Sequence, residues 1–143
     1  MGVKQLSVFI ENTKGSLFRL TDSLGKAGID LAALSLADTE NYGIVRIITN
    51  NTDKAYDVLR AESYTVKLTD VLAVCVPDVP GGLAQVLSLL EEAGIMVEYL
   101  YSFVRNSGNG ALIIMRVSAA EQTEKLLTDN GIRMLTQEEV NTL

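Results

Sequence analysis

The sequence predicts an α+β protein made of two copies of one strand-helix-strand-strand-helix-strand unit. Two observations predict it: a segment of the first half repeats in the second at a constant offset, and the apolar period alternates between strand-like and helix-like in the same order in each copy.

The repeat begins where Val8-Phe9-Ile10-Glu11-Asn12-Thr13-Lys14-Gly15-Ser16-Leu17 overlays Val74-Cys75-Val76-Pro77-Asp78-Val79-Pro80-Gly81-Gly82-Leu83. The register continues through Leu20 on Val86, Leu24 on Leu90 and Ala27-Gly28-Ile29 on Ala93-Gly94-Ile95. One extra residue in the second copy then brings Gly43 onto Gly110 and Leu59 onto Leu126.

Val3 to Ile10 and Val71 to Val76 are apolar and rich in β-branched residues, as buried strands are. A glycine loop follows each, and then Leu17, Leu20, Leu24 and Ala27, or Leu83, Val86, Leu87, Leu90 and Ala93, recur at helical spacing. Gly28 and Gly94 supply the stop. Second strands are expected over Ile29 to Ala37 and Ile95 to Val104, and third strands over Gly43 to Thr49 and Gly110 to Val117. Polar turns at Asp38 to Tyr42 and Arg105 to Asn109 join them as hairpins. Shorter helices, Thr52 to Ala61 and Ala119 to Asn130, lead to last strands near Tyr64 to Leu68 and Ile132 to Leu135. This order is the ferredoxin-like split βαβ arrangement, with two helices on one face of a four-stranded antiparallel sheet. The division into units is expected at residues 1–69 and 70–143, with Thr136 to Leu143 left as a tail.

Composition excludes several functions. Hydrophobic residues make up 48% of the chain and charged ones 21%, so a packed core is expected. A net charge of −6 and the lack of a basic cluster oppose nucleic-acid or anionic-membrane binding. The chain has no histidine and one cysteine, Cys75, which removes intrachain disulfides, Cys–His nucleophile pairs and zinc sites of ordinary composition. Cys75 is expected to serve as a small hydrophobe in its strand. No secretory pattern or membrane-spanning apolar run is read, so a cytoplasmic location is expected, with no cofactor, metal or catalytic residue.

The second copy, Asp78-Val79-Pro80-Gly81-Gly82-Leu83 through Ala93-Gly94-Ile95-Met96-Val97, resembles the ACT-domain signature of acid, proline, glycine, leucine, helix and glycine-isoleucine-x-valine. The first copy departs from it, with Asn12 for Asp78 and Lys14 for Pro80. The resemblance implies units paired side by side in an eight-stranded sheet with helices on one face. It also implies a small ligand, usually an amino acid, at the seam between the first loop of one unit and the second strand of its neighbour.

An amino acid needs donors for its carboxylate and acceptors for its ammonium. Glycine loops at helix starts let main-chain N–H groups approach an anion, which nominates Gly15, Ser16 and Leu17 in one copy and Gly81, Gly82 and Leu83 in the other. The candidate acceptors for the ammonium are Asn12 and Asp78 at the loop mouths or carbonyls of the facing second strand. Asp30 and Glu98 on those strands, and Lys14 and Pro80 in the loops, are further candidate ligand-binding residues. Asn12 and Asp78 equally suit plain turn or capping roles, and the glycines suit a tight turn. Tyr99, Tyr101 and Phe103 share one strand face, either packed at a seam or walling a ligand side chain. The Glu91-Glu92 and Gln137-Glu138-Glu139 clusters are read as solvated surface.

The function expected is a non-catalytic regulatory module coupling a small ligand to assembly or to a partner enzyme or regulator. An open sheet edge also invites a homodimer. The alternative is a small acylphosphatase-like enzyme on the same scaffold, which needs an arginine at an anion loop; neither loop contains one. RNA recognition through this topology requires aromatic residues on the third strands, and there are none.

Overall fold

The computed structural model describes residues 2–103 and 110–143. In chain order the elements are β1 (Val3–Glu11), α1 (Ser16–Lys26), β2 (Leu31–Asp38), β3 (Tyr42–Thr49), α2 (Thr52–Ala61), β4 (Thr65–Val76), α3 (Gly82–Glu92), β5 (Val97–Ser102), β6 (Ala111–Val117), α4 (Ala120–Asp129), β7 (Met134–Leu135) and α5 (Gln137–Asn141). The second hairpin turn, Arg105 to Asn109, lies outside the described residues.

One difference from expectation sets the architecture. The last strand of the first unit and the first strand of the second are a single strand, β4, so the sheet has seven strands rather than eight. No glycine or proline interrupts Thr65 to Val76, and six of its twelve residues are valine or threonine, so nothing local breaks the extended backbone. Thr69 and Asp70, where the units were expected to divide, pair in mid-strand with Gln5 and Lys4.

The strand order is β2-β3-β1-β4-β6-β5, with β7 also on β4 and every pair antiparallel. The first half of β4 completes one split βαβ unit beside β1, and its second half is the central strand of the other, between β6 and β7. The sheet curls until its two ends meet: Ala33 of β2 forms a bridge with Phe103, just beyond β5.

Alternation along the strands then creates three cores. On one face, Leu6, Val8 and Ile10 of β1 and Val66 of β4 are buried against Leu20 and Leu24 of α1 and Ala55 and Leu59 of α2. On the same face of β4, Leu72, Val74 and Val76 meet Val86 and Leu90 of α3 and Leu127 of α4. Each such leucine contributes about 1.5–3 kcal/mol relative to exposure. The four longer helices therefore share one face. The opposite, inner face holds the third core, where Val3, Ala33 and Ile48 of the first unit pack with Ala73, Phe103 and Ile114 of the second.

The residues read as a tail form α5, whose Val140 closes this inner core. Thr136 and Glu139 make a reciprocal capping box, the T-x-x-E pattern that starts many helices. The Gln137-Glu138-Glu139 cluster is thus not plain solvated surface. The Gln137 side-chain oxygen accepts the Lys4 N–H at 2.7 Å, and Glu139 also pairs with Arg133. Glu91 and Glu92 do stay exposed. Cys75 is half-buried in β4 against the inner core, and that burial pushes its thiol up. Among the described residues, no helix is long and apolar enough to cross a membrane.

Candidate functional site

Both loops turn into their helices through a left-handed glycine, Gly15 at φ 87° and Gly81 at φ 84°. Other residues adopt that conformation at a cost. The carbonyl of each glycine accepts the first helical bond, from Arg19 N–H and Gln85 N–H respectively, each at 3.0 Å. No side chain caps either helix, so Asn12 and Asp78 do not serve as caps. Ser16 N–H and Gly82 N–H are taken up inside the loops by Thr13 and Val79 carbonyls, at 3.2 and 2.9 Å. The next amides, Leu17 and Leu83, belong to the first turn and have no acceptor within their helices.

Asn12 ties the first loop to its own hairpin, donating to the Thr39 carbonyl at 2.6 Å. Beside it, Ile10, Asn12, Ser16 and Leu17 with Leu36 and Asp38 of β2 line an open cleft of about 430 Å³. Lys14 and Gly15 lie exposed on the loop. In the second loop Asp78, Pro80 and Gly81 are likewise exposed, whereas Gly82 is buried. A Cβ on Gly82 would lie 1.9 Å from the Pro77 carbonyl oxygen, so this glycine serves close packing. By the repeat, the counterpart of Asp38 is Val104, which lies outside the described residues.

The two loops sit at opposite ends of β4. Phe9, just before the first, pairs with Thr65 at the start of that strand, and Val76 ends it just before the second. Twelve extended residues separate them by roughly 40 Å. The second strand lining the cleft of the first loop belongs to the same unit, not to its neighbour. Asp30 sits at the far end of β2 from that cleft, where its N–H donates to the Asn50 side chain at 3.0 Å. Glu98 faces outward and pairs with Arg116 at 3.2 Å. Neither acid therefore joins the first loop.

Tyr99 and Tyr101 face the other way, into the seam between the units. Gln5, fully buried, donates to the Tyr99 hydroxyl at 2.8 Å and to Ser7 at 3.1 Å, and accepts from the Tyr101 hydroxyl at 2.7 Å. The Arg46 guanidinium lies 3.8 Å over the Tyr99 ring. Of the two readings open for this aromatic face, packing at a seam is the one the geometry supports.

Sequence reasoning missed Arg19. Although neither loop contains an arginine, Arg19 folds back from α1, with Nη2 3.3 Å from Ser16 Oγ and Nη1 2.9 Å from where a Gly15 Cβ would stand. Its position four residues after Gly15, one helical turn on, was the available signal. Among the described residues, no three His, Cys, Asp or Glu side chains gather as a metal site requires.

Comparison with known proteins agrees with this architecture. A protein of Bacteroides thetaiotaomicron solved by crystallography is 37% identical, with a TM-score of 0.92, over 100% of this chain and 98% of that one. The ligand-free regulatory subunit of aspartate kinase from Thermus thermophilus shares the fold, with a TM-score of 0.62, 15% identity and 90% coverage of each chain. The corresponding subunit from Thermus flavus is similar, with a TM-score of 0.61, 16% identity and coverage of 87% and 88%. No curated protein sequence matches the chain. The family model described as an ACT domain pair matches residues 1–143, the whole of the sequence, and the chain belongs to that family.

Proposed function

We propose that the chain is a non-catalytic regulatory module that binds an amino acid at its first loop and couples binding to assembly or to a partner protein. The observation that carries this reading is the first loop itself. A left-handed glycine opens α1 without a side-chain cap, and hollows large enough for a small ligand adjoin Ser16. Family membership and the shared fold of aspartate kinase regulatory subunits favour the same ligand class.

A ligand that binds only the folded state raises its melting temperature, by an amount equivalent to about 2.7 kcal/mol at a hundred times the dissociation constant. A thermal-shift screen with each of the twenty common amino acids at millimolar concentration is expected to single out one or a few. A flat response to all twenty rejects the reading.

Arg19 favours a second reading, an acylphosphatase-like enzyme, because it places at the first loop the guanidinium that such chemistry needs. Turnover of acetyl phosphate or benzoyl phosphate, lost in Arg19→Met, is the result that would establish it.

A further inference from the structure

Two hollows adjoin the first loop, and they differ in charge. The cleft against β2 has Glu11 and Asp38 as its only charged residues, so a ligand carboxylate entering it meets two like charges. The other hollow, of about 270 Å³, lies between the first turn of α1 and the α2–β4 turn and adjoins Glu11, Ser16, Arg19, Glu62, Ser63 and Tyr64. The lining holds one arginine, two acids and the hydroxyl-bearing Ser16, Ser63 and Tyr64, a set that matches both ends of a zwitterion. The Glu62 carboxylate also accepts from the Ser23 hydroxyl at 2.9 Å. Among the described residues Arg19 has no carboxylate partner; its one side-chain hydrogen bond is to Ser16.

The duplication shows which of these groups the fold itself requires. The second unit has a hollow against the matching strand end and turn, of about 360 Å³, lined by Cys75, Val76, Pro77, Gly131, Ile132 and Arg133. Its wall does not include α3, and the Arg133 guanidinium is paired with Glu139. In the structure Leu59 matches Leu127 rather than Leu126: both are buried and accept from Tyr64 N–H and Ile132 N–H at 3.0 and 2.9 Å. Gly131 and Ser63 therefore occupy equivalent turns: each directly follows its helix C-cap, and each N–H donates to a carbonyl three residues back at 3.0 Å. Gly131 has φ 75° and Ser63 has φ 70°, and Ser63 is the single non-glycine residue with positive φ among those described. Glycine is the relaxed choice there, so the first unit carries a hydroxymethyl group against backbone preference. Ser16 and Arg19 stand where the second unit has Gly82 and Gln85, and Glu62 where it has Asn130. These four residues, Ser16, Arg19, Glu62 and Ser63, all lie on the wall of the cavity.

We propose that this cavity, rather than the cleft against β2, receives the amino acid, its carboxylate held by Arg19, Ser16 and Ser63 and its ammonium by Glu11 or Glu62. The proposal rests on the amino-acid reading for its ligand class. It adds the location, two residues that recognise the head group, Arg19 and Ser63, and a restriction to the first unit.

Isothermal calorimetry on the full chain, with each of the twenty common amino acids as probe, tests it together with three variants. Arg19→Met is expected to weaken the binding amino acid at least tenfold, and Ser63→Gly at least threefold while its melting temperature stays level or rises. Gln85→Met, the same change at the counterpart position of the second unit, is expected to stay within twofold. Retained affinity in either first-unit variant, or a loss in Gln85→Met equal to that in Arg19→Met, overturns the cavity and leaves the amino-acid reading standing. No binding by the parent chain overturns both.

Discussion

The Tyr101 hydroxyl donates to the side-chain oxygen of Gln5 at 2.7 Å, joining residues 96 positions apart and in different units. Gln5 has no solvent exposure, and its amide also donates to Tyr99 and Ser7. The seam between the units is therefore keyed by one buried amide within an otherwise apolar core. Leu at this position fills similar space but leaves the tyrosine hydroxyls without a partner, at about 1–3 kcal/mol for each buried group left unpaired. Gln5→Leu is expected to lower unfolding free energy by about 2–4 kcal/mol on that basis. Tyr101→Phe alone is expected to cost about 1 kcal/mol, and less in the Gln5→Leu background. Additive losses in urea denaturation would show that the pair is not coupled.

Burial, and next the neighbouring Tyr99, push the Tyr101 phenol well above its ordinary value. The folded state then keeps a proton that the unfolded chain releases near pH 10. Stability from this group is complete below that pH and declines as pH rises above it, because the folded state binds more protons there. Urea midpoints measured from pH 8 to 11 are expected to fall at the alkaline end, and Tyr101→Phe to flatten that fall. A parent chain with a level profile would show that Tyr101 ionises freely in the fold.

Much of this fold was legible because its signals are local. The periods of Leu17, Leu20 and Leu24 and of Val86 and Leu90 place two helices, and the residues at Gly15 and Gly81 mark where they start. The continuity of β4 was not legible, because β1 and β6 hold it straight through pairs such as Gln5 with Thr69 and Leu72 with Met115. Gln5 itself sits within an apolar run, and its tyrosine partners lie in the other unit, so the local sequence did not distinguish it. Of the candidate site, the loop glycines were readable but Asp30 and Glu98 were not separable from it. Strand membership does not say which end of a strand a residue occupies.

The two adjacent glycines of the second loop are expected to respond differently to substitution. Gly81→Ala meets no atom within 4 Å, and its cost is that of a left-handed alanine at φ 84°, about 1 kcal/mol. Valine at Gly81, which otherwise suggests itself as a block on ligand approach, is β-branched and poorly suited to positive φ, so it confounds binding with folding. Gly82→Ala instead drives a methyl group to 1.9 Å from the rigid Pro77 carbonyl, an overpacking expected to cost about 3 kcal/mol or more. Circular-dichroism melts of the two alanine variants check this order; equal melting points would mean that the Pro77 turn yields freely.

Docking of α5 is expected to be acid-sensitive. The Thr136 N–H, and then Arg133, hold the Glu139 carboxyl below its ordinary value. A carboxylate with a depressed value in the fold stabilises it above the unfolded value of about 4.3 and loses that contribution as pH falls through the folded one. The Glu139 side chain is partly exposed in the first turn of α5, so the effect belongs to the helix rather than to the whole fold. Hydrogen exchange at Val140 N–H, which bonds to the Thr136 carbonyl at 3.0 Å, reports it. Compared with core amides at the same pH, its protection is expected to drop between pH 5 and 3 in the parent chain. In Glu139→Gln it should start lower and change little. The same drop in both chains would separate α5 from Glu139 and assign the acid response to another carboxylate.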